Sequence, residues 1–85
     1  MASDVTDGEP SDETVVQTAS DAAEGVVFDR YKQSEVRDVD VTVHFAEGVL
    51  EVDVYLDAPG DDEQVAEDAV LAARTAVDDL FDESN

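Results

Sequence analysis

His44 is the only histidine of the chain, and in a hairpin its partner across the strands is Glu51. A His–Glu pair can relay protons as general base and acid. Nucleophilic catalysis needs more. The chain has no cysteine and no second histidine, and no serine falls beside the pair to complete a nucleophilic set. The simpler reading is an exposed cross-strand pair on a solvated sheet face. Asp40, Glu51, Asp53 and Asp57 form a second cluster, a carboxylate patch of the kind that attracts hard cations. The stretch "DAPGDDE" lacks the alternating acids and terminal Glu of a dedicated calcium loop. There is no glycine-rich phosphate loop and no Cys/His zinc spacing. The residues therefore predict a non-enzyme without cofactor or metal.

Positive charge is concentrated. The chain holds 24 acidic and four basic residues, a formal charge of −20, and Arg30, Lys32 and Arg37 all lie in "DRYKQSEVRD". Two readings stand side by side. In the structural one, Arg30 and Lys32 occupy the last turn of a helix, where cations suit the negative end of the dipole. Arg37 then pairs with Glu35 or Asp38. In the functional one, Phe28, Arg30, Tyr31, Lys32 and Arg37 contact a partner, because aromatics with flanking cations resemble interface hot spots.

The acidity itself points to habitat. Hydrophobic residues make up 42% of the chain and are periodic, which argues against disorder. At molar salt the Debye length is about 3 Å, so repulsion between surface carboxylates is largely screened. Asp dominates, a single Lys remains, and Ala and Val fill most apolar positions. This reads as a halophile's protein. Direct nucleic-acid binding is disfavoured in that setting, since phosphate contacts weaken steeply with salt. No cysteine, no apolar run long enough to span a bilayer and no signal-like N-terminus together predict a cytoplasmic protein.

The elements that would position these residues follow from periodicity. Residues 1–10 read as a disordered arm. Ser11 is the expected N-cap of a first helix, with Asp12 and Glu13 in its first turn. Val15, Ala19, Ala22 and Val26 form its inner stripe, flanked by Val16, Ala23 and Val27, and the helix is expected to reach about Lys32. Gly25 costs about 1 kcal/mol in a helix interior relative to Ala. It either admits another backbone or weakens the helix near its end.

From Val39 the period becomes two. Val39, Val41, Val43 and Phe45 face inward, as do Leu50, Val52, Val54 and Leu56 after the turn at Glu47-Gly48. The expected register opposes Phe45 to Leu50, Val43 to Val52, Val41 to Val54, His44 to Glu51 and Thr42 to Asp53. "DAPGDDE" then breaks the strand, and a second helix begins near Asp61 or Asp62. Its stripe is Val65, Ala69, Ala73, Ala76 and Leu80, flanked by Ala66, Val70, Val77 and Phe81, and it is expected to end near Phe81. Close helix-on-sheet packing accounts for the alanines; a docking surface is the alternative. Arg74 is expected to pair with Glu67, Asp78 or Asp79.

The fold class is therefore α+β: helix, strand, strand, helix, an antiparallel hairpin with both helices on one face. One domain spans 11–82, with 83–85 frayed. Two strands are marginal alone and leave both edges unpaired. Val39, Val41, Val43, Val52 and Val54 are thus candidates for a dimer edge, used by a second copy or by a different protein.

"RYKQSEVRDVDVTVHFAEGVLEVDVYLDAP" followed by "VAEDAVLAARTAVDDLF" resembles a small uncharacterised archaeal domain-of-unknown-function family in haloarchaeal form, over about residues 14–81. The element order, the valine-rich hairpin and the alanine-bearing last helix are also similar to the small dimerising subunit of the KEOPS complex. KEOPS helps install threonylcarbamoyl on adenosine next to the anticodon of tRNAs. That similarity implies a non-catalytic subunit that dimerises and docks on a catalytic one. The expected function is an accessory protein-interaction subunit of a haloarchaeal cytoplasmic complex of KEOPS type. The alternatives are a tRNA-binding module and a halophilic structural protein.

Overall fold

The computed structural model describes residues 11–84. The arm expected over 1–10 and the terminal Asn85 lie outside the described residues. Helix α1 spans Asp12–Arg30, strands β1 and β2 span Asp38–Ala46 and Val49–Asp57, and helix α2 spans Asp62–Ser84. A short 3-10 turn, Gln33–Glu35, joins α1 to β1. The fold is the expected α+β arrangement, with both helices packed on the hairpin and on each other.

Local chemistry sets each boundary. The Ser11 hydroxyl accepts from the Thr14 backbone N–H at 3.1 Å, capping α1. Asp61 does the same for α2, its carboxylate accepting from the Gln64 N–H at 3.3 Å. Asp62 reaches back to the Ala58 N–H at 3.2 Å and so fixes the approach to the helix. α1 stops at Arg30, two residues short of the expected Lys32, because Tyr31 turns extended. α2 runs through Ser84, beyond the expected end at Phe81 and into residues read as frayed.

The hairpin has the expected register at every position: Phe45 opposite Leu50, Val43 opposite Val52, Val41 opposite Val54, His44 opposite Glu51 and Thr42 opposite Asp53. The turn has positive φ at both residues, 54° at Glu47 and 80° at Gly48, the backbone of a tight I′ hairpin turn. Its twist matches that of the strands and holds the valines on one face.

The buried core lies mainly on the helices. Val15, Ala19, Ala23 and Val27 are fully buried on α1; Val65, Ala69, Ala73 and Val77 are the buried residues of α2. Each set is a single i, i+4 ridge with the order Val, Ala, Ala, Val. The expected stripes hold at Val15, Ala19, Val65, Ala69 and Ala73 and move by one position toward the C-terminal ends, where Ala23, Val27 and Val77 are buried and Ala22, Val26, Ala76 and Leu80 sit half-buried on the flanks. It also revises the role of the alanines. They serve a helix-on-helix contact as well as the sheet, and their small side chains let the helix axes approach closely. The sheet's inner face is only half-buried apart from Leu56, with Phe45 and Phe81 in contact at a ring separation of 5.9 Å.

A larger side chain on the ridge would force the helices apart. Ala73→Leu is expected to destabilise the chain by about 1–3 kcal/mol, the usual cost of overpacking. The denaturation midpoint in molar KCl measures it. An unchanged midpoint would place Ala73 outside the tight contact.

Candidate functional site

The end of the molecule where α1, β1, β2 and α2 all meet holds "DRYKQSEVRD". Arg30, the last residue of α1, forms an ion pair with Asp68 in the second turn of α2 at 3.0 Å. The pair links the C-terminal end of α1 to the N-terminal part of α2, as antiparallel neighbours allow. Gln64 donates to the other Asp68 oxygen at 3.1 Å, so that carboxylate is engaged on both sides.

Tyr31 is half-buried, and its hydroxyl donates to the Pro59 carbonyl at 2.7 Å. That bond ties the α1–β1 joint to the β2–α2 joint. Gly60 sits directly beneath with φ +81°, and a Cβ there would lie 4.0 Å from the Tyr31 hydroxyl. The constraint at Gly60 is thus its backbone conformation, with ordinary contact to Tyr31.

Lys32 opens the 3-10 turn. Its backbone N–H donates to a Glu35 carboxylate oxygen at 2.9 Å, while its side chain is exposed. Among the described residues Lys32 forms no ion pair. Arg37 pairs with Asp57 at 3.3 Å, and its backbone N–H donates to the Asp57 carbonyl at 2.8 Å. The expected partners, Glu35 and Asp38, are not the ones used. The register explains this: Asp38 lies opposite Asp57, so two like charges face each other at the strand ends and Arg37 offsets them. Phe28 stands apart from these ties on the exposed side of α1, 40% exposed.

The structure therefore places Arg30, Tyr31 and Arg37 in internal ties and leaves Lys32 and Phe28 outward. Arg74 is exposed on α2 and, among the described residues, makes no ion pair with Glu67, Asp78 or Asp79.

His44 and Glu51 are opposed on the outer sheet face and both exposed. Asp40, Thr42, Asp53 and Tyr55 share that face. Among the described residues no three His, Cys, Asp or Glu side chains converge to hold a metal ion.

The proposed dimer-edge residues have a double character. Side chains of Val39, Val41, Val43, Val52 and Val54 face the helices, half-buried. Their backbones face elsewhere. A two-residue turn closes on a hydrogen-bonded pair, here Ala46 and Val49, and pairs then alternate along the ladder. Val41/Val54 and Val43/Val52 fall at non-hydrogen-bonded positions. Their N–H and C=O groups point outward, along β1 on one side and β2 on the other. Among the described residues no third strand meets them.

Two measurements separate the ties in strength. Tyr31→Phe removes one hydrogen bond and is expected to lower stability by about 0.5–1.5 kcal/mol. A double-mutant cycle on Arg37 and Asp57 is expected to give a coupling under about 1 kcal/mol, shrinking as salt rises, because the pair is exposed. A larger salt-independent coupling would show that the pair is desolvated.

Comparison with known proteins adds the family. An uncharacterized protein from Natronomonas pharaonis is 55% identical over 84 residues, covering 96% of this chain and all of that protein. No solved structure matches. A family model described as "Protein of unknown function (DUF3194)" matches residues 4–80. With nearly its whole length matched, the chain belongs to that family.

Proposed function

We propose that this protein is a non-catalytic interaction subunit that joins its hairpin edge to the strand of another protein or of a second copy. The observation that supports the reading is a mismatch of layers. Two adjacent helices span about 20 Å, from an interaxial distance of 8–10 Å and a diameter near 10 Å. Two strands roughly 4.8 Å apart span only about half of that. The helical layer is thus about two strands wider than the sheet beneath it. Solvent reaches the inner valines from both open edges, which accounts for their half-burial. An added strand covers them and satisfies the outward backbone groups in one step.

The finer reading is a cytoplasmic accessory subunit of a KEOPS-type tRNA-modification complex in a halophile. Its support is the shared order of helix, strand, strand, helix and the alanine-bearing last helix. The tRNA-binding alternative draws less support, because Arg30 and Arg37 are engaged in ion pairs.

Two experiments test the levels separately. In molar KCl, light scattering on the purified chain, alone and mixed with KEOPS subunits, is expected to show an assembly larger than a monomer. In that assembly the amides of Val39, Val41 and Val43, or of Val52 and Val54, are expected to exchange slowly with deuterium. A monomer with fast-exchanging edge amides under every condition sinks the edge reading. A self-paired dimer that ignores KEOPS subunits sinks only the KEOPS assignment.

A further inference from the structure

The two helices carry the same buried ridge at the same spacing, Val15-Ala19-Ala23-Val27 and Val65-Ala69-Ala73-Val77. Position for position, their outer flanks differ. Five and six residues past the first valine, α1 has Ser20 and Asp21, whereas α2 has Val70 and Leu71. Asp68 pairs with Arg30, so its side of α2 faces α1. Val70 follows two residues later, about 200° further round the helix, and therefore faces away from α1. Since α1 packs on β1 and α2 on β2, Val70 overhangs the open edge of β2. It is half-buried there, and among the described residues no third strand lies beneath it. Leu71 beside it is 62% exposed. With Glu67 the two line a shallow depression of about 330 Å³. The flank over β1 is finished with groups suited to water; the flank over β2 is not.

We infer that the β2 edge takes one antiparallel strand from a different protein, and that this strand carries no helix of its own on the side facing α2. The inference rests on the edge reading above and narrows its occupant. Layer widths set the condition. The helices overhang the hairpin by about one strand, roughly 4.8 Å, at each edge. A second copy laid flush on β2 would bring two helical layers of about 20 Å each over four strands spanning about 19 Å, and the helices would collide. Turned over, the copy would set its charged outer face beneath Val70. Charge excludes the copy as well. In antiparallel pairing of β2 with a second β2, centring on Val52 opposes Glu51 to Asp53. Centring on Asp53 opposes it to itself, and centring on Val54 opposes Glu51 to Asp57. A strand without a helix meets neither obstacle. Its backbone pairs with the outward groups of Val52 and Val54, and its apolar side chains fill the space under Val70.

The probe is a synthetic extended peptide with Val at alternate positions and Thr or Lys between, made in two N-methylated forms. Directly opposed residues of an antiparallel pair exchange hydrogen bonds, so the peptide valines opposite Val52 and Val54 need their N–H groups. Methyl groups on the Thr and Lys amides leave that edge free; methyl groups on the Val amides block it. Both forms are titrated into the isotope-labelled full chain in molar KCl, where unspecific attraction to an acidic surface is screened. The first form is expected to shift the amide signals of Val52 and Val54 and to slow their exchange with deuterium. The blocked form and the Val70→Asp variant are each expected to weaken binding by about tenfold or more, as loss of a central anchor does. Val70→Thr keeps the side-chain shape and is expected to act in the same direction, whereas Ser20→Asp is expected to change nothing. Melting temperatures check that each variant folds. Equal binding of both forms, protection at Val39, Val41 and Val43 instead, or self-assembly of the chain that protects Val52 and Val54 would overturn this inference and leave the edge reading standing. Failure of the first form to bind overturns it too; if the edge amides also exchange fast in every assembly, the edge reading falls with it.

Discussion

Everything in this fold depends on the contact between α1 and α2. A two-stranded sheet offers too little surface to bury a core by itself. The deepest positions therefore sit on the two helical ridges, Val15-Ala19-Ala23-Val27 and Val65-Ala69-Ala73-Val77. The ridges read the same in either direction, so antiparallel neighbours can set valine beside valine and alanine beside alanine. The small alanine side chains let the helices approach closely. The Arg30–Asp68 pair and the Tyr31–Pro59 bond then close one end of the stack.

The same economy leaves the sheet thinly covered. A close-packed helix pair leaves the hairpin as a lining with its side chains half-covered and its backbone edges open. Among the described residues the sheet has two strands, and no third strand covers its edges. Function on this reading belongs to edges and faces, and no convergent set of reactive groups is needed for it.

Much of this was legible in residue order. The change of period at Val39 and the turn at Glu47-Gly48 sufficed to set the hairpin register, because a slip of one residue would turn every valine to water. Ser11 announced its cap by type and position. The helical stripes were harder. On α1 both Ala22/Val26 and Ala23/Val27 are apolar, so periodicity alone left the face uncertain by about a hundred degrees, and the choice falls to the packing of α2. Arg37 shows a different limit. Local sequence offers Glu35 and Asp38, but its partner Asp57 is brought alongside only by the hairpin. Gly25 was half legible: the glycine was conspicuous, whereas only the assembled fold shows that no neighbouring backbone approaches it.

The turn at Glu47-Gly48 has a kinetic side. The two ridges lie far apart in the chain, and joining them directly would require closing a loop that includes both strands. Hairpins of this kind form on a scale of about 1–10 μs. Once the turn has closed, β1 and β2 carry the ends of α1 and α2 to the same place, and only two short joints remain between sheet and helices. The left-handed backbone at Glu47 and Gly48 thereby converts a long-range search into a local one. A chain with so small a core has reason to depend on that shortcut.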